Sequence, residues 1–382
     1  AFVYEPKKGL KNNISLFDFR SLYPSIIITH NIDPDTINCS CCKEIKKRKN
    51  KAPDYDFYFC EKNKGFIPEI LEELLNKRIN IKSIMKEANE KNKKKLNAQQ
   101  YALKIVANSF YGYMGFAASR YYDRRCSAST TSFGRYYIHD VIREAKKDGF
   151  KVVYGDTDSV FLSLPRKNQK KINSFLKQVN DNLPGIMNLE YEGFFIRGLF
   201  AKKKHGEGGA KKRYALIDED GNVIIKGFEK VRKDWSILAK NTQEKVLGLI
   251  LNNKTEEAKK YVQNVVYMLK NKNIDISELV INTSIRKNIA SYEQMAPHVM
   301  AVKKAIARGM KFKGGQNVAY IVTNRGKSIS DRSELVEFAK DYDSSYYINN
   351  QILRAVGKIF EAAGIGETSL KDNTTQKNIF DY

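Results

Sequence analysis

Residues 150–154 (Phe-Lys-Val-Val-Tyr) and 159–164 (Ser-Val-Phe-Leu-Ser-Leu) alternate with the period of a β-strand, and Gly155-Asp156-Thr157-Asp158 between them has the composition of a turn. A chain written this way closes an antiparallel hairpin here, with two carboxylates at its tip. Residues 14–19 (Ile-Ser-Leu-Phe-Asp-Phe) read as a buried strand that also ends at an acidic residue, Asp18. From Pro68 to about Asn89 the period becomes helical. Leu71, Leu74, Leu75, Ile81, Met85 and Ala88 form one apolar stripe, and Pro68 suits a helix N-terminus. A polar Lys/Asn stretch at 89–95 precedes a second helix from about Leu96 to Tyr111, so the two predict an antiparallel helical hairpin. After Trp235 the chain turns helical and mixed, with breaks at Gly309 and Gly314-Gly315.

Three carboxylates therefore stand where strands end: Asp18, Asp156 and Asp158. Two at a hairpin tip facing a third on another strand could hold two divalent cations about 3.5–4 Å apart. Hard oxygen ligands select Mg²⁺ or Mn²⁺ over zinc. Taken alone, Asp-Thr-Asp is better read as an ordinary turn, where Asp is favoured anyway. The helical hairpin shifts the balance. Arg78, Lys82 and Lys86 recur every four residues as a basic stripe, and Lys104, Asn108 and Tyr111 share a face at i, i+4 and i+7. A cationic wall opposite carboxylates would grip a triphosphate, Arg by its planar fork and Lys as point charges. The amide and the aromatic ring could pack against a base.

Composition bounds the partners. Lys plus Arg is 67 against 43 Asp plus Glu, a net charge of +24, which implies a polyanionic partner through counterion release. At 382 residues two or three domains are expected, and 42% hydrophobic residues exclude a disordered chain. No apolar run approaches the ~20 residues of a membrane span, and no signal-peptide core is seen, so no membrane partner and a cytoplasmic, nucleoid-associated location are expected. Five cysteines, an odd count, argue against a secreted disulfide scaffold. Cys39, Cys41, Cys42 and Cys60 cluster, but Cys-Ser-Cys-Cys lacks the spaced pair-and-pair pattern and argues against zinc. A Cys42–Cys60 bridge and free thiols both stay open.

These residues carry a family resemblance. Asp18-Phe-Arg-Ser-Leu-Tyr-Pro-Ser-Ile26 resembles motif A of the family B DNA polymerases. Lys104-Ile-Val-Ala-Asn-Ser-Phe-Tyr-Gly112 is similar to their motif B, and Tyr154-Gly-Asp-Thr-Asp-Ser159 to motif C. Lys211-Lys-Arg-Tyr214 resembles the basic-aromatic motif that follows, and the stretches 227–242 and 286–363 resemble the family too, most closely its archaeal replicative members. The resemblance implies an α+β right-hand polymerase, with an antiparallel-sheet palm at 1–65 and 116–235. Helical-hairpin fingers would occupy 66–115, and a mostly helical thumb with a C-terminal tail 236–382.

It also implies roles: template-directed addition of dNTPs to the 3′-OH of primer-template DNA, with Asp18, Asp156 and Asp158 catalytic. Two Mg²⁺ ions, with Mn²⁺ as substitute, would be held by Asp18, Asp158 and the Phe19 carbonyl. Ser21 and Leu22 backbone N–H groups, Arg78, Lys82 and Lys104 would meet the triphosphate. Tyr23 would exclude a ribose 2′-OH, Asn108 and Tyr111 would line the nascent base pair, and Lys211, Lys212, Arg213 and Tyr214 would contact DNA. A non-catalytic polymerase-like DNA binder is disfavoured by the intact carboxylates, and a reverse transcriptase or RNA polymerase by Tyr23 and the motif order.

The family's exonuclease precedes motif A, and Ala1-Phe-Val-Tyr-Glu-Pro6 resembles sequence directly after it, so no proofreading is expected of this chain. A heterodimer with a separate N-terminal, exonuclease-bearing polypeptide and a truncated enzyme both fit. The Gly/Lys-rich loop 202–213 is longer than its archaeal counterparts, and Cys126 lacks the partner cysteine of the archaeal type, Asp123 standing in its place. The tail Gln376–Tyr382 resembles a truncated sliding-clamp binding peptide.

Overall fold

The computed structural model describes residues 3–202 and 208–365. Two compact units emerge, one around residues 13–194 that takes in residues 3–5, the other from residue 195 onward that takes in residues 6–12. The peptide Gln376–Tyr382, read as a clamp-binding tail, lies outside the described residues.

In the first unit, β1 (Val3–Tyr4), β3 (Lys151–Asp156), β4 (Ser159–Ser163) and β2 (Gly9–Phe19) form an antiparallel sheet in that order, β2 beginning in the second unit. The predicted hairpin is present and tighter than its composition suggested. Gly155 and Asp156 remain in β3, Asp156 pairs with Ser159, and Thr157-Asp158 alone makes the turn. One face of the sheet is buried against α4 (Arg124–Lys147) and α5 (Gln169–Asn182), where Phe17, Val160 and Leu162 meet Ile138, Val141, Ile172 and Phe175. Asp123 caps α4 by accepting the Arg125 N–H, and two lysines close its last turn, which suits the helix dipole. The short α1 (Leu22–Thr29) follows β2 at once and buries Leu22, Ile26 and Ile27 in the same core.

The helical hairpin is α2 (Phe66–Glu87) and α3 (Glu90–Met114). The stretch expected to link them, residues 89–95, is helix from Glu90 onward instead. Asn89 caps it by accepting the Asn92 N–H at 3.0 Å, and the Glu and Lys residues that follow are good helix formers. The apolar stripe is fully buried only at the base, at Leu71 and Leu75, and half-buried at Ile81 and Met85. Between α1 and α2 the chain is mostly irregular, yet it is tied to the base of α2. The Asn31 amide donates to the carbonyls of Cys60 (2.7 Å) and Asn63 (2.8 Å) and accepts the Gly65 N–H (2.8 Å), while Asp33 accepts the Ile67 N–H at 2.8 Å.

In the second unit β5 (Leu189–Lys202), which begins in the first, β6 (Gly209–Asp218) and β7 (Val223–Lys226) pair in order. Helices α6 (Ile237–Leu251), α7 (Thr255–Lys270) and α8 (Pro297–Ala307) follow, with a small sheet of β8 (Ile281–Ser284), β9 (Asn317–Val322) and β10 (Ser333–Leu335). A π-helical segment (Tyr347–Leu353) runs into a last helix (Arg354–Ala362), and Trp235, Leu247, Val262, Ile321, Val356 and Phe360 share one core. Gly227 is required where it stands: φ is +66°, and a Cβ there would lie 1.9 Å from the Lys212 carbonyl oxygen. No helix among the described residues is long and apolar enough to cross a membrane.

Candidate active site

Register brings the motif carboxylates together. Asp18 pairs with Ser159, the residue directly after Asp158, and the Phe19 N–H donates to the Asp158 carbonyl at 2.8 Å. The end of β2 is thereby clamped to the hairpin tip. Thr157 holds that tip in the left-handed region, φ 51°, an uncommon conformation for a β-branched residue and one that concentrates at functional sites. Asp18 and Asp158 both line an open cavity of about 270 Å³. Asp156 does not line it. Its two carboxylate oxygens accept from the Tyr154 hydroxyl (3.2 Å) and the Thr157 hydroxyl (3.1 Å), so it braces the turn from behind.

The opposite wall comes from the helical hairpin: Arg78 and Lys82 on α2, Lys104 and Asn108 on α3. The Arg78 guanidinium donates to Ser21 Oγ at 2.8 Å and to Gln100 Oε1 at 3.3 Å, pinning α2 to the turn after β2 and to α3. Lys86 lines a second recess of about 300 Å³ that shares Arg78 and Lys82. Ser21 adopts φ 48° and starts α1, whose first N–H groups have no partner within the helix and whose N-terminus favours an anion. Phe19, Ser21, Leu22 and Tyr23 all border the cavity. The Tyr23 ring packs 4.5 Å from that of Tyr111, which stands behind it outside the lining, and burial pushes the Tyr23 hydroxyl up to about 12.

Three charged residues on this cavity escaped the sequence reading. Glu190 and Glu192 lie two apart on β5 and so share a face, and Arg20 donates to Glu190 at 2.6 Å. The alternation Leu189-Glu-Tyr-Glu192 was the available signal. Burial raises the Asp18 carboxyl to about 7, with Asp158, Glu192 and Glu190 adding repulsion and Lys104 opposing it. The site thus sets a crowded anionic floor against a cationic wall.

Lys211, Lys212, Arg213 and Tyr214 lie on β6, in the second unit. Lys211 and Lys212 are exposed, and the Tyr214 ring lies 5.9 Å from Phe200. Arg213 is engaged in the protein itself. It donates to both oxygens of the buried Glu229 (2.6 and 2.8 Å), and Gln243 donates to Glu229 at 2.8 Å and to the Ala355 carbonyl at 2.7 Å.

Comparison with known proteins gives the family. The description DNA polymerase family B matches residues 1–363. A DNA polymerase of Thermococcus sp. (strain 9oN-7) is 43% identical over 99% of this chain and 48% of its own length. That of Archaeoglobus fulgidus is 34% identical over 98% of this chain and 48% of its own. The solved family B DNA polymerase from the hyperthermophilic archaeon Pyrobaculum calidifontis superposes with a TM-score of 0.69 at 31% identity, covering 94% of this chain and 46% of that one. The chain spans about half the length of these relatives. With an α+β fold of antiparallel sheet and helical hairpin, and Asp18, Asp158, Lys104 and Asn108 of the motifs gathered on one cavity, the chain belongs to DNA polymerase family B.

Proposed function

We propose that this chain carries the nucleotidyl-transfer centre of a DNA-templated DNA polymerase. The observation that carries the reading is the cavity in which Asp18 and Asp158 face Arg78, Lys82, Lys104 and Asn108. Residues 1–65 and 116–235 would form the palm, 66–115 the fingers and 236–382 the thumb and tail.

The donor set fits divalent cations: hard carboxylate oxygens crowd one side of the cavity, where burial first and then their mutual repulsion disfavour the charged form of Asp18. Asp18, Asp158 and the Phe19 carbonyl would hold two Mg²⁺ ions, or Mn²⁺, and Asp156 would brace Asp158 through the turn. Bound there, the ions would activate the primer 3′-OH and neutralise charge on the leaving pyrophosphate. Arg78, Lys82 and Lys104 would grip the triphosphate of the incoming dNTP, with the N–H groups of Ser21 and Leu22 at its oxygens. Tyr23, backed by Tyr111, would occupy the space of a ribose 2′-OH, and Asn108 would line the nascent base pair. Lys211, Lys212 and Tyr214 would contact primer-template DNA without reading sequence.

We further infer that full activity draws on the remaining half of the relatives' length, whether joined to this chain or borne on a separate exonuclease-bearing polypeptide. A clamp contact through Gln376–Tyr382 belongs to the same proposal. Primer extension with Mg²⁺ and dNTPs is the test. Asp158→Ala should lower the rate by roughly 10²–10³-fold or more while DNA binding persists. Normal extension by that variant would remove Asp158 from the chemistry. Extension by the chain alone would show that it holds a complete centre. No extension from folded, DNA-binding protein would show that the other half completes it.

A further inference from the structure

Four thiols meet in the irregular stretch between α1 and α2, away from the cavity. The Sγ atoms of Cys39, Cys41, Cys42 and Cys60 all lie within 4.8 Å of one another. Cys41 Sγ stands 3.5 Å from Cys39, 3.8 Å from Cys42 and 3.4 Å from Cys60, and Cys42 stands 3.9 Å from Cys60. All four are free thiols, so the Cys42–Cys60 bridge left open by the sequence is not formed. The objection to a metal rested on linear spacing, and the fold removes it. A 3₁₀ turn, Ser40–Cys42, wraps Cys39, Cys41 and Cys42 around one point. The bridge Ile37↔Phe59 then returns Cys60 to them.

We propose that Cys39, Cys41, Cys42 and Cys60 form a tetrathiolate site for one zinc ion. Four sulfurs at the Zn–S distance of about 2.3 Å on a tetrahedron stand about 3.8 Å apart, and the four separations given above, 3.4–3.9 Å, lie close to that value. A cubane iron–sulfur cluster spreads its cysteines over four irons and needs a wider set. The hard cations suited to the carboxylate cavity have no preference for sulfur.

Two backbone donors point at the sulfurs: the Glu61 N–H at Cys42 Sγ (3.4 Å) and the Asn63 N–H at Cys60 Sγ (3.3 Å). Such contacts favour the thiolate and fix the ligand's orientation. The site is also set in basic sequence. A zinc tetrathiolate carries net negative charge, and the run Lys43-Glu-Ile-Lys-Lys-Arg-Lys-Asn-Lys51 supplies the opposite sign. Within that run Arg48 donates to the carbonyls of Cys42 (3.4 Å) and Lys43 (2.6 Å), holding it against the cluster. Cys42 and Cys60 are buried while Cys41 is exposed, which leaves an entry path. The ion acts as a staple. Cys60 and Asn63 are bonded by Asn31, which also holds Gly65, the residue that starts α2. Metal in the thiol cage therefore stiffens the root of the helix that bears Arg78 and Lys82.

The experiment is metal analysis of the reduced protein, with cobalt(II) substitution of the same sample. About one zinc per chain is expected, and the cobalt form should show the intense visible bands and sulfur-to-cobalt charge transfer of tetrahedral thiolate coordination. The double variant Cys39→Ser, Cys41→Ser should lose the ion and the charge-transfer band, and chelation should lower Tm and loosen amide protection over residues 31–67. The cobalt spectrum of the unmodified protein decides the matter even if the variant fails to fold. Metal-free reduced protein, or a cobalt form without thiolate charge transfer, overturns the site. So does a Cys42–Cys60 disulfide found by mass spectrometry in the native protein. Stoichiometric iron in place of zinc overturns the choice of ion.

Discussion

His30 shows how a single buried side chain sets a condition on stability. Its ring is stacked 3.7 Å from Phe133, with Nε2 2.7 Å from the Tyr137 hydroxyl and Nδ1 3.3 Å from Asn50 Oδ1. Burial lowers its pKa from 6.5 to about 4, against the opposing pull of its hydrogen bonds to Asn50 and Lys49. The unfolded chain takes up this proton near pH 6.5 and the folded one only near 4, so stability present above 6.5 is lost as pH falls through that window. The full effect is on the order of 3 kcal/mol. Urea midpoints measured from pH 4 to 7 should slope less in His30→Gln than in the unchanged protein, and parallel slopes would exonerate the histidine. Arg213 is the second case. Its replacement by Ala leaves the Glu229 carboxylate buried without its cation, held by Gln243, and a loss of about 3 kcal/mol is expected in denaturant unfolding. Tyr23→Ala should raise the ratio of ribonucleotide to deoxynucleotide incorporation by about tenfold or more in single-nucleotide extension. An unchanged ratio would leave Tyr23 as core packing only.

At the scale of elements, the same substitution should act with opposite sign in two places. Gly65 starts α2, and a Cβ there would lie 2.6 Å from Asp33 Cβ, so Gly65→Ala should destabilise by about 1–3 kcal/mol and also raise the KM for dNTPs. Gly248 lies within α6 with nothing near its missing Cβ, and Gly248→Ala should stabilise by about 1 kcal/mol through helix propensity. Thermal unfolding of both variants checks the pair. Elements also show where sequence was readable. The hairpin around Asp156 and Asp158 could be seen because alternation and turn composition are both local signals. The polar start of α3 could not, because its helicity depends on one cap, Asn89, and on propensity in place of an apolar stripe. Glu190 and Glu192 hid because a strand that alternates Glu reads as a solvent-facing face, and only its neighbours turn that face into a cavity floor. The cysteine quartet hid for a third reason: its ligand spacing is made by a 3₁₀ turn and an isolated bridge, Ile37↔Phe59, and linear intervals record neither.

For the whole molecule the dominant quantity is charge. A net +24 makes DNA association a matter of counterion release, and the slope of log affinity against log salt should be about −0.9 for each phosphate contacted. Fluorescence anisotropy on a primer-template between 50 and 200 mM salt measures it, and a flat profile would contradict the polyanion reading. The division into two units was not legible, since no linker marks it: the chain passes between them inside β2 and inside β5, in the middle of paired strands.

The pairing of β2 with β4 has a consequence during synthesis. Asp18 leaves the ribosome about 140 residues before Ser159, the partner that fixes its position. At ordinary translation rates that is a wait on the order of 10 s. Through that interval the Ile-Ser-Leu-Phe segment of β2 is a nascent strand without its native neighbour, while α2 and α3 can already close on each other from local sequence. A pause or a codon change between them alters how long the strand waits, so the yield of folded protein should respond to synonymous changes that leave every residue of the site untouched.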